Sequence, residues 1–73
     1  MDARSIANGL INRSISHTER PRYVAPSEDM RRLVAEELQA ECEGDAKENS
    51  GALDFWGERN GCEWRVVVAA EVV

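Results

Sequence analysis

The spacing of apolar residues changes along this chain, and each change marks an element. Between Pro26 and Gly44, the residues Met30, Leu33, Val34, Leu38 and Cys42 recur at the three- and four-residue spacing that lines one face of an α-helix. Pro26 breaks the preceding structure, and the Ser27 hydroxyl is placed to accept an amide hydrogen that the first turn leaves unpaired. Glu28 and Asp29 set negative charge at the positive end of the helix dipole. Glu28 also stands four residues before Arg32, the favourable order for an ion pair along a helix. The pattern predicts a stop near Glu43, with Gly44 free to adopt left-handed backbone. Residues 44–51 read as a loop by composition.

Beyond that loop the period shortens to two. Asn60-Gly61 is a preferred pair for a two-residue type I′ turn, because both positions need positive φ. It joins Leu53–Arg59 to Cys62–Val73 as a β-hairpin, and the register follows by counting outward from the turn. Arg59 faces Cys62, Glu58 faces Glu63, Gly57 faces Trp64, and Trp56 faces Arg65. Phe55 then faces Val66, Asp54 faces Val67 and Leu53 faces Val68. Side chains alternate between faces of a strand. One face therefore holds Leu53, Phe55, Gly57, Cys62, Trp64, Val66 and Val68, an apolar surface for the helix to cover. The indole of Trp64 can lie over the missing side chain of Gly57, as in aromatic rescue of a strand glycine. The other face holds Asp54, Trp56, Glu58, Glu63, Arg65 and Val67.

The N-terminal third is less regular. Asp2 can cap a helix over residues 2–13, where Ile6, Leu10 and Arg13 are helically spaced, but Asn8-Gly9 interrupts it. A glycine inside a helix costs about 1 kcal/mol. Residues 1–20 are therefore expected to form an N-terminal arm, either flexible or carrying a short helix, with residues 14–20 as linker. Residues 21–73 are expected to form a compact α+β domain, one amphipathic helix packed on the C-terminal antiparallel hairpin. Arg22–Ala25, between Pro21 and Pro26, has the residues for a third short strand, confined to an edge by the prolines. Ala69–Val73 outruns its hairpin partner and needs another: residues 22–25, a second copy of the chain, or a target.

Length and charge then narrow the function classes. A chain of 73 residues buries only about 60% of its unfolded surface. A core of this size rarely supplies more than about 3–5 kcal/mol. Little stability is left over to hold a strained catalytic site, so binding is the easier task. The net charge is −5. Residues 1–26 carry four arginines against two acids, a net of +2, and residues 27–73 carry five bases against twelve acids, a net of −7. A mildly basic arm is followed by an acidic body. Direct binding to nucleic acid, itself a polyanion, is not expected. A basic protein surface is the more natural partner. No apolar run approaches the ~20 residues of a membrane span, and no hydrophobic leader is evident, so the expected location is the cytoplasm. A monomer is favoured.

Candidate chemistry is sparse. His17, the single histidine, lies in the polar linker and far in sequence from Cys42 and Cys62. A nucleophile needs a base beside it and a third group to orient that base. Cys42 stands among Glu41 and Glu43, whose charge disfavours the thiolate, and reads as buried filler. A Cys42–Cys62 disulfide is geometrically open, since both are predicted on inward faces, but a cytoplasmic setting disfavours it. The close-set ligand pairs of a structural zinc site are absent, and no glycine-rich phosphate loop is present. The expectation is a protein with neither enzyme activity nor cofactor.

The feature that asks for an explanation is Trp56, placed by the register on the polar face opposite Arg65 and beside Val67. An aromatic beside arginine is the residue mix of binding hot spots. The alternative is a tryptophan covered by the chain's own arm, with Arg65 stacked on its ring. Glu36, Glu37 and Glu41 offer a second, acidic contact surface on the helix, and Arg4 and Arg13 a basic one on the arm.

In its size and overall character, short and acidic with one helix and one hairpin, the chain resembles a small lytic-phage transcription regulator that binds host RNA polymerase. The resemblance implies inhibition of host initiation and readthrough of terminators by protein–protein contact in the host cytoplasm. It transfers no functional residue. Trp56, Arg65, Val67, Glu36, Glu37, Glu41, Arg4 and Arg13 are candidates on the reading of the residues alone. The alternative reading is an acidic, nucleic-acid-mimicking inhibitor of a bacterial defence nuclease complex. A third is an assembly subunit joined through the edge at Ala69–Val73.

Overall fold

The structure is a computed structural model that describes residues 2–73. It is α+β, with two helices on one face of a four-stranded mixed sheet. In chain order the elements are α1 (Ala3–His17), β1 (Arg22–Ala25), α2 (Glu28–Glu41), β2 (Lys47–Asn49), β3 (Ala52–Arg59) and β4 (Cys62–Val72). The strands lie side by side as β1-β4-β3-β2.

The hairpin β3–β4 has the register read from the turn, from Arg59 opposite Cys62 to Leu53 opposite Val68. Asn60 (φ 53°) and Gly61 (φ 81°) both have positive φ, as a type I′ turn requires. The helix over α2 also starts where expected, with the Met30 amide donating to Ser27 Oγ at 3.2 Å. Its end differs. The last helical residue is Glu41, and Cys42 caps it in extended backbone, so Gly44 takes no left-handed role. The chain instead runs straight onto the sheet edge, where the Glu43 amide donates to the Trp56 carbonyl at 3.0 Å. The Gln39 side chain holds this exit, donating to the Gly44 carbonyl at 2.7 Å and accepting from the Ala46 amide at 3.0 Å.

Two expectations need correction. The arm is an ordered helix of 15 residues that runs through Asn8-Gly9 without a break, capped by Asp2, which accepts from the Ser5 amide at 2.8 Å. Ala7 and Ile11 are buried in the core, so apolar burial outweighs the helix cost of Gly9. The buried stripe is Ala7, Ile11 and Ser14, which leaves Arg13 outside it. Second, residues 47–49 are a strand and not loop. A second two-residue turn, Ser50 (φ 55°) and Gly51 (φ 84°), folds β2 back along β3 with Asn49 opposite Ala52.

The overhanging end of β4 finds its partner inside the chain. β1 pairs with it in parallel, Arg22 with Val67, Tyr23 with Val68 and Ala25 with Val72. The step from Tyr23 to Ala25 spans four residues of β4, a bulge. Arg31 of α2 fills the break, donating from Nε to the Ala69 carbonyl and from Nη2 to the Gly51 carbonyl, both at 2.7 Å. β4 is thus central, and both edges are short: β1 is flanked by prolines, and β2 is three polar residues. Such edges discourage strand addition by another chain.

The core lies between the helices and the inner face of the sheet. Ile11, Val34, Leu38, Val66 and Val68 are fully buried, with Phe55 and Trp64 beside them. Burying an aliphatic or aromatic side chain of this kind contributes about 1.5–3 kcal/mol. Trp64 lies over Gly57, as the cross-strand pairing implies. A Cβ on Gly57 would sit 2.7 Å from Trp64 Cζ2 and 2.8 Å from the Glu41 carbonyl oxygen. Cys62 has the parity of this inner face but is exposed, because it stands next to the turn, past the cover of the helices. Both cysteines are free.

Two polar ties fix α1 to the rest. The Arg65 amide, on β4 short of where β1 begins, donates to Ser14 Oγ at 2.9 Å, and that hydroxyl donates to the Glu19 carbonyl at 2.9 Å. Buried Ser14 thus does for Arg65 what a neighbouring strand does for Val67, whose amide donates to the Pro21 carbonyl at 2.9 Å. At the other end Arg59 of β3 donates to Asn8 Oδ1 at 2.7 Å, Asn12 Oδ1 at 3.3 Å and Glu41 Oε1 at 2.5 Å, which joins α1, α2 and the sheet.

Candidate functional site

Because both helices pack on the inner face, the outer face of the sheet has no covering layer among the described residues. Alternation along β3 and β4 sets Asp54, Trp56, Glu58, Glu63, Arg65 and Val67 there, as the sequence predicts. Trp56 and Val67 are half-buried, and Arg65 is exposed. α1 does not cover Trp56, since it lies on the opposite side of the sheet; of the arm, Arg20 reaches this face and lines a hollow beside the indole. What meets the indole is the segment leaving α2: a side chain on Gly44 would begin 3.5 Å from Trp56 Cζ2. Trp56 is therefore flanked by the Gly44 segment and stays half-buried on a face with no second layer.

The face is divided electrostatically at Trp56. Toward the hairpin turn lies a depression of about 510 Å³ lined by Glu43, Trp56, Gly57, Glu58, Glu63, Trp64 and Arg65. Its floor is the paired strand segment at Gly57 and Trp64, whose side-chain positions point inward. Its walls are Trp56 and Arg65 on one side and the opposed Glu58 and Glu63 on the other. Away from the turn a smaller hollow of about 180 Å³ is lined by Arg20, Lys47, Asp54, Phe55, Trp56 and Arg65, and here the charges are mostly basic. Arg20 pairs with Asp54 at 3.4 Å, and Arg22 pairs with Glu71 at the far corner. The Arg22 guanidinium holds the Glu71 carboxyl below its ordinary range, chiefly through their hydrogen bond.

The remaining candidates lie elsewhere and do not converge with Trp56. Arg4, Glu37 and Glu41 line a cleft of about 340 Å³ at the open end of the two helices, together with Asn8, Ala40 and Arg59. Glu41 is already engaged there by Arg59. Arg13 is paired with Glu19 at the end of α1. Glu36 faces a third place, an apolar hollow of about 230 Å³ beside Ala35, Ala46, Leu53 and Phe55. The eight candidates thus divide into one coherent surface (Trp56, Arg65, Val67) and three separate positions.

Sequence reasoning missed Arg31, Arg59 and Ser14 as structural ties and Glu43 as a member of the Trp56 surface. Each depends on a contact between distant segments that no local period encodes. Six ion pairs form among the described residues, and Glu36, Glu37, Glu43, Asp45, Glu48, Glu58 and Glu63 belong to none of them. No helix among the described residues is long and apolar enough to cross a membrane. Comparison with known protein families, with curated proteins and with solved structures finds no match for this chain.

Proposed function

We propose that this protein is a regulator that works by binding another protein through the outer face of its sheet, and that its partner is the RNA polymerase of a bacterial host. The observation that carries binding through this face is Trp56. A half-buried indole stands on a sheet face with no second layer, directly opposite Arg65 and diagonal to Val67. Tryptophan and arginine anchors within a polar rim are what concentrate binding energy at protein interfaces. The choice of polymerase rests on the resemblance in size and character to phage transcription regulators. On this reading the protein lowers initiation and increases terminator readthrough by occupying a protein surface, with no chemistry of its own.

Affinity capture from a bacterial lysate tests it. The wild-type chain is expected to retain polymerase subunits, and Arg65→Glu to lose them while keeping its thermal midpoint. Recovery of no polymerase subunit at low salt removes the polymerase reading. The unpaired carboxylates favour a second reading, an acidic inhibitor of a defence nuclease complex that mimics nucleic acid. That reading requires capture of a nuclease subunit, competed by duplex DNA and weakening steeply with salt.

A further inference from the structure

We infer that the acidic half of the outer face receives an arginine side chain of the partner, seated against Trp56 between Glu43, Glu58 and Glu63. The inference deepens, and rests on, the proposed role of this face in partner binding. Its starting point is a local conflict. Glu58 and Glu63 are directly opposite each other on β3 and β4, a like-charge pair that destabilises a hairpin. The other acids of this face each have a cation beside them: Asp54 pairs with Arg20 and stands opposite Lys47, and Glu71 pairs with Arg22. Glu43, Glu58 and Glu63 have no cation within ion-pair distance, although Arg65 lines the same depression. A cation is missing from the complement of this corner.

The shape selects which cation. Among the described residues no group of three carboxylates, histidines or cysteines converges closely enough to hold a metal ion. The acids ring a depression of about 510 Å³ and do not point at one spot. A guanidinium is broad and flat, donates in its own plane to several carboxylates, and stacks on an aromatic face. Trp56 supplies that face at the wall, independently of the acids. The basic hollow on the other side of Trp56 sets direction, since a segment running across the face meets acids at one end and Arg20, Lys47 and Arg65 at the other. Complementary charge of this kind fixes orientation and register more than affinity.

Titration of the full chain with a synthetic (Arg-Gly)5 peptide, followed by NMR, tests the inference. The Trp56 indole N–H and the amides of residues 56–58 and 63–65 are expected to shift and saturate. The double variant Glu58→Gln/Glu63→Gln is expected to weaken binding about fivefold, as loss of two exposed ion pairs implies. That variant relieves repulsion, so its thermal midpoint should not fall. Trp56→Leu is expected to weaken binding as well. The control Glu28→Gln/Asp29→Asn on the first turn of α2 should leave the affinity within about twofold, since those exposed carboxylates lie outside the seat. Shifts spread over α2, equal weakening by the α2 control, or no saturable shift would each overturn the arginine seat. Polymerase retained equally by the wild type and the Glu58→Gln/Glu63→Gln variant would also remove the seat while leaving the polymerase reading. Peptide binding at this site without capture of polymerase would remove the polymerase reading and leave the seat.

Discussion

Replacing Gly57 with alanine sets two known terms against each other. In a strand interior alanine is ordinarily the more stable residue, by about 0.5–1 kcal/mol, because glycine loses more backbone freedom on folding. Against that, the new methyl carbon would sit 2.7 Å from Trp64 Cζ2, 2.8 Å from Trp64 Cε2 and 2.8 Å from the Glu41 carbonyl oxygen. Neither obstacle is the loose end of a flexible chain. Trp64 is 1% exposed and wedged in the core, and Glu41 O belongs to the last turn of α2. Overpacking of a tight core costs about 1–3 kcal/mol. With two rigid neighbours the upper half of that range applies, so the net loss is about 1–2.5 kcal/mol. For a domain this small each kcal/mol moves the midpoint by about 4–8 °C, so G57A should melt about 4–20 °C below the wild type. Thermal unfolding followed by far-UV circular dichroism reads this directly. Gly9→Ala is the internal comparison. A Cβ at Gly9 meets nothing within 4 Å, so only the helix preference acts, and the midpoint should rise by about 4–8 °C. A G57A protein as stable as the wild type would refute the packing of Trp64 on Gly57.

Other expectations follow from single contacts. Arg31→Met keeps the stem but removes the donors to the Ala69 and Gly51 carbonyls, and should cost about 1–3 kcal/mol. Its signature is faster amide exchange at Val73, whose amide donates to the Ala25 carbonyl past the bulge. Glu58→Lys turns the repulsive pair with Glu63 into an attractive one and should stabilise by about 0.2–1 kcal/mol in urea titration, while weakening the (Arg-Gly)5 peptide. Acid should destabilise through Asp2 and Glu71. The carboxyl of Asp2 is held below its ordinary 3.8, first by the Ser5 backbone amide, and that of Glu71 is held below 4.5, first by Arg22. Depressed carboxylates stabilise the fold above their unfolded values and lose that contribution as pH falls through the folded ones. The midpoint should therefore drop below about pH 4.5, and less so in the Asp2→Asn, Glu71→Gln variant.

What the sequence discloses and what it hides divide by range. The β3–β4 register is fixed by Asn60-Gly61, a local signal with one geometric solution, and every pair from Arg59–Cys62 to Leu53–Val68 follows. That register alone places Trp56, Arg65 and Val67 together. β2 is hidden because Lys47-Glu48-Asn49 has no apolar alternation. Its pairing is imposed by Ser50-Gly51 behind it and by the Gln39 bonds ahead of it. The extent of α1 is hidden because Gly9 argues against a helix locally, while Ile11 and Ala7 argue for it only once the sheet exists. The half-burial of Trp56 depends on the path of Gly44, which no period predicts.

The position of β4 has a consequence for the order of events during synthesis. It follows every other element in the chain, yet it lies between β1 and β3. A ribosome therefore delivers α1, β1, α2 and the β2–β3 hairpin before the strand that joins them exists. Until Val66 and Val68 emerge, Tyr23 and Ala25 have no ladder to enter, and Ile11 and Leu38 have no floor to rest on. Folding of this chain has to be late and nearly all at once, with its slow step set by distant segments meeting. A chain cut before Val66 would lack the keystone and not an edge. Such a fragment should accumulate as protease-sensitive polypeptide and not as a smaller domain.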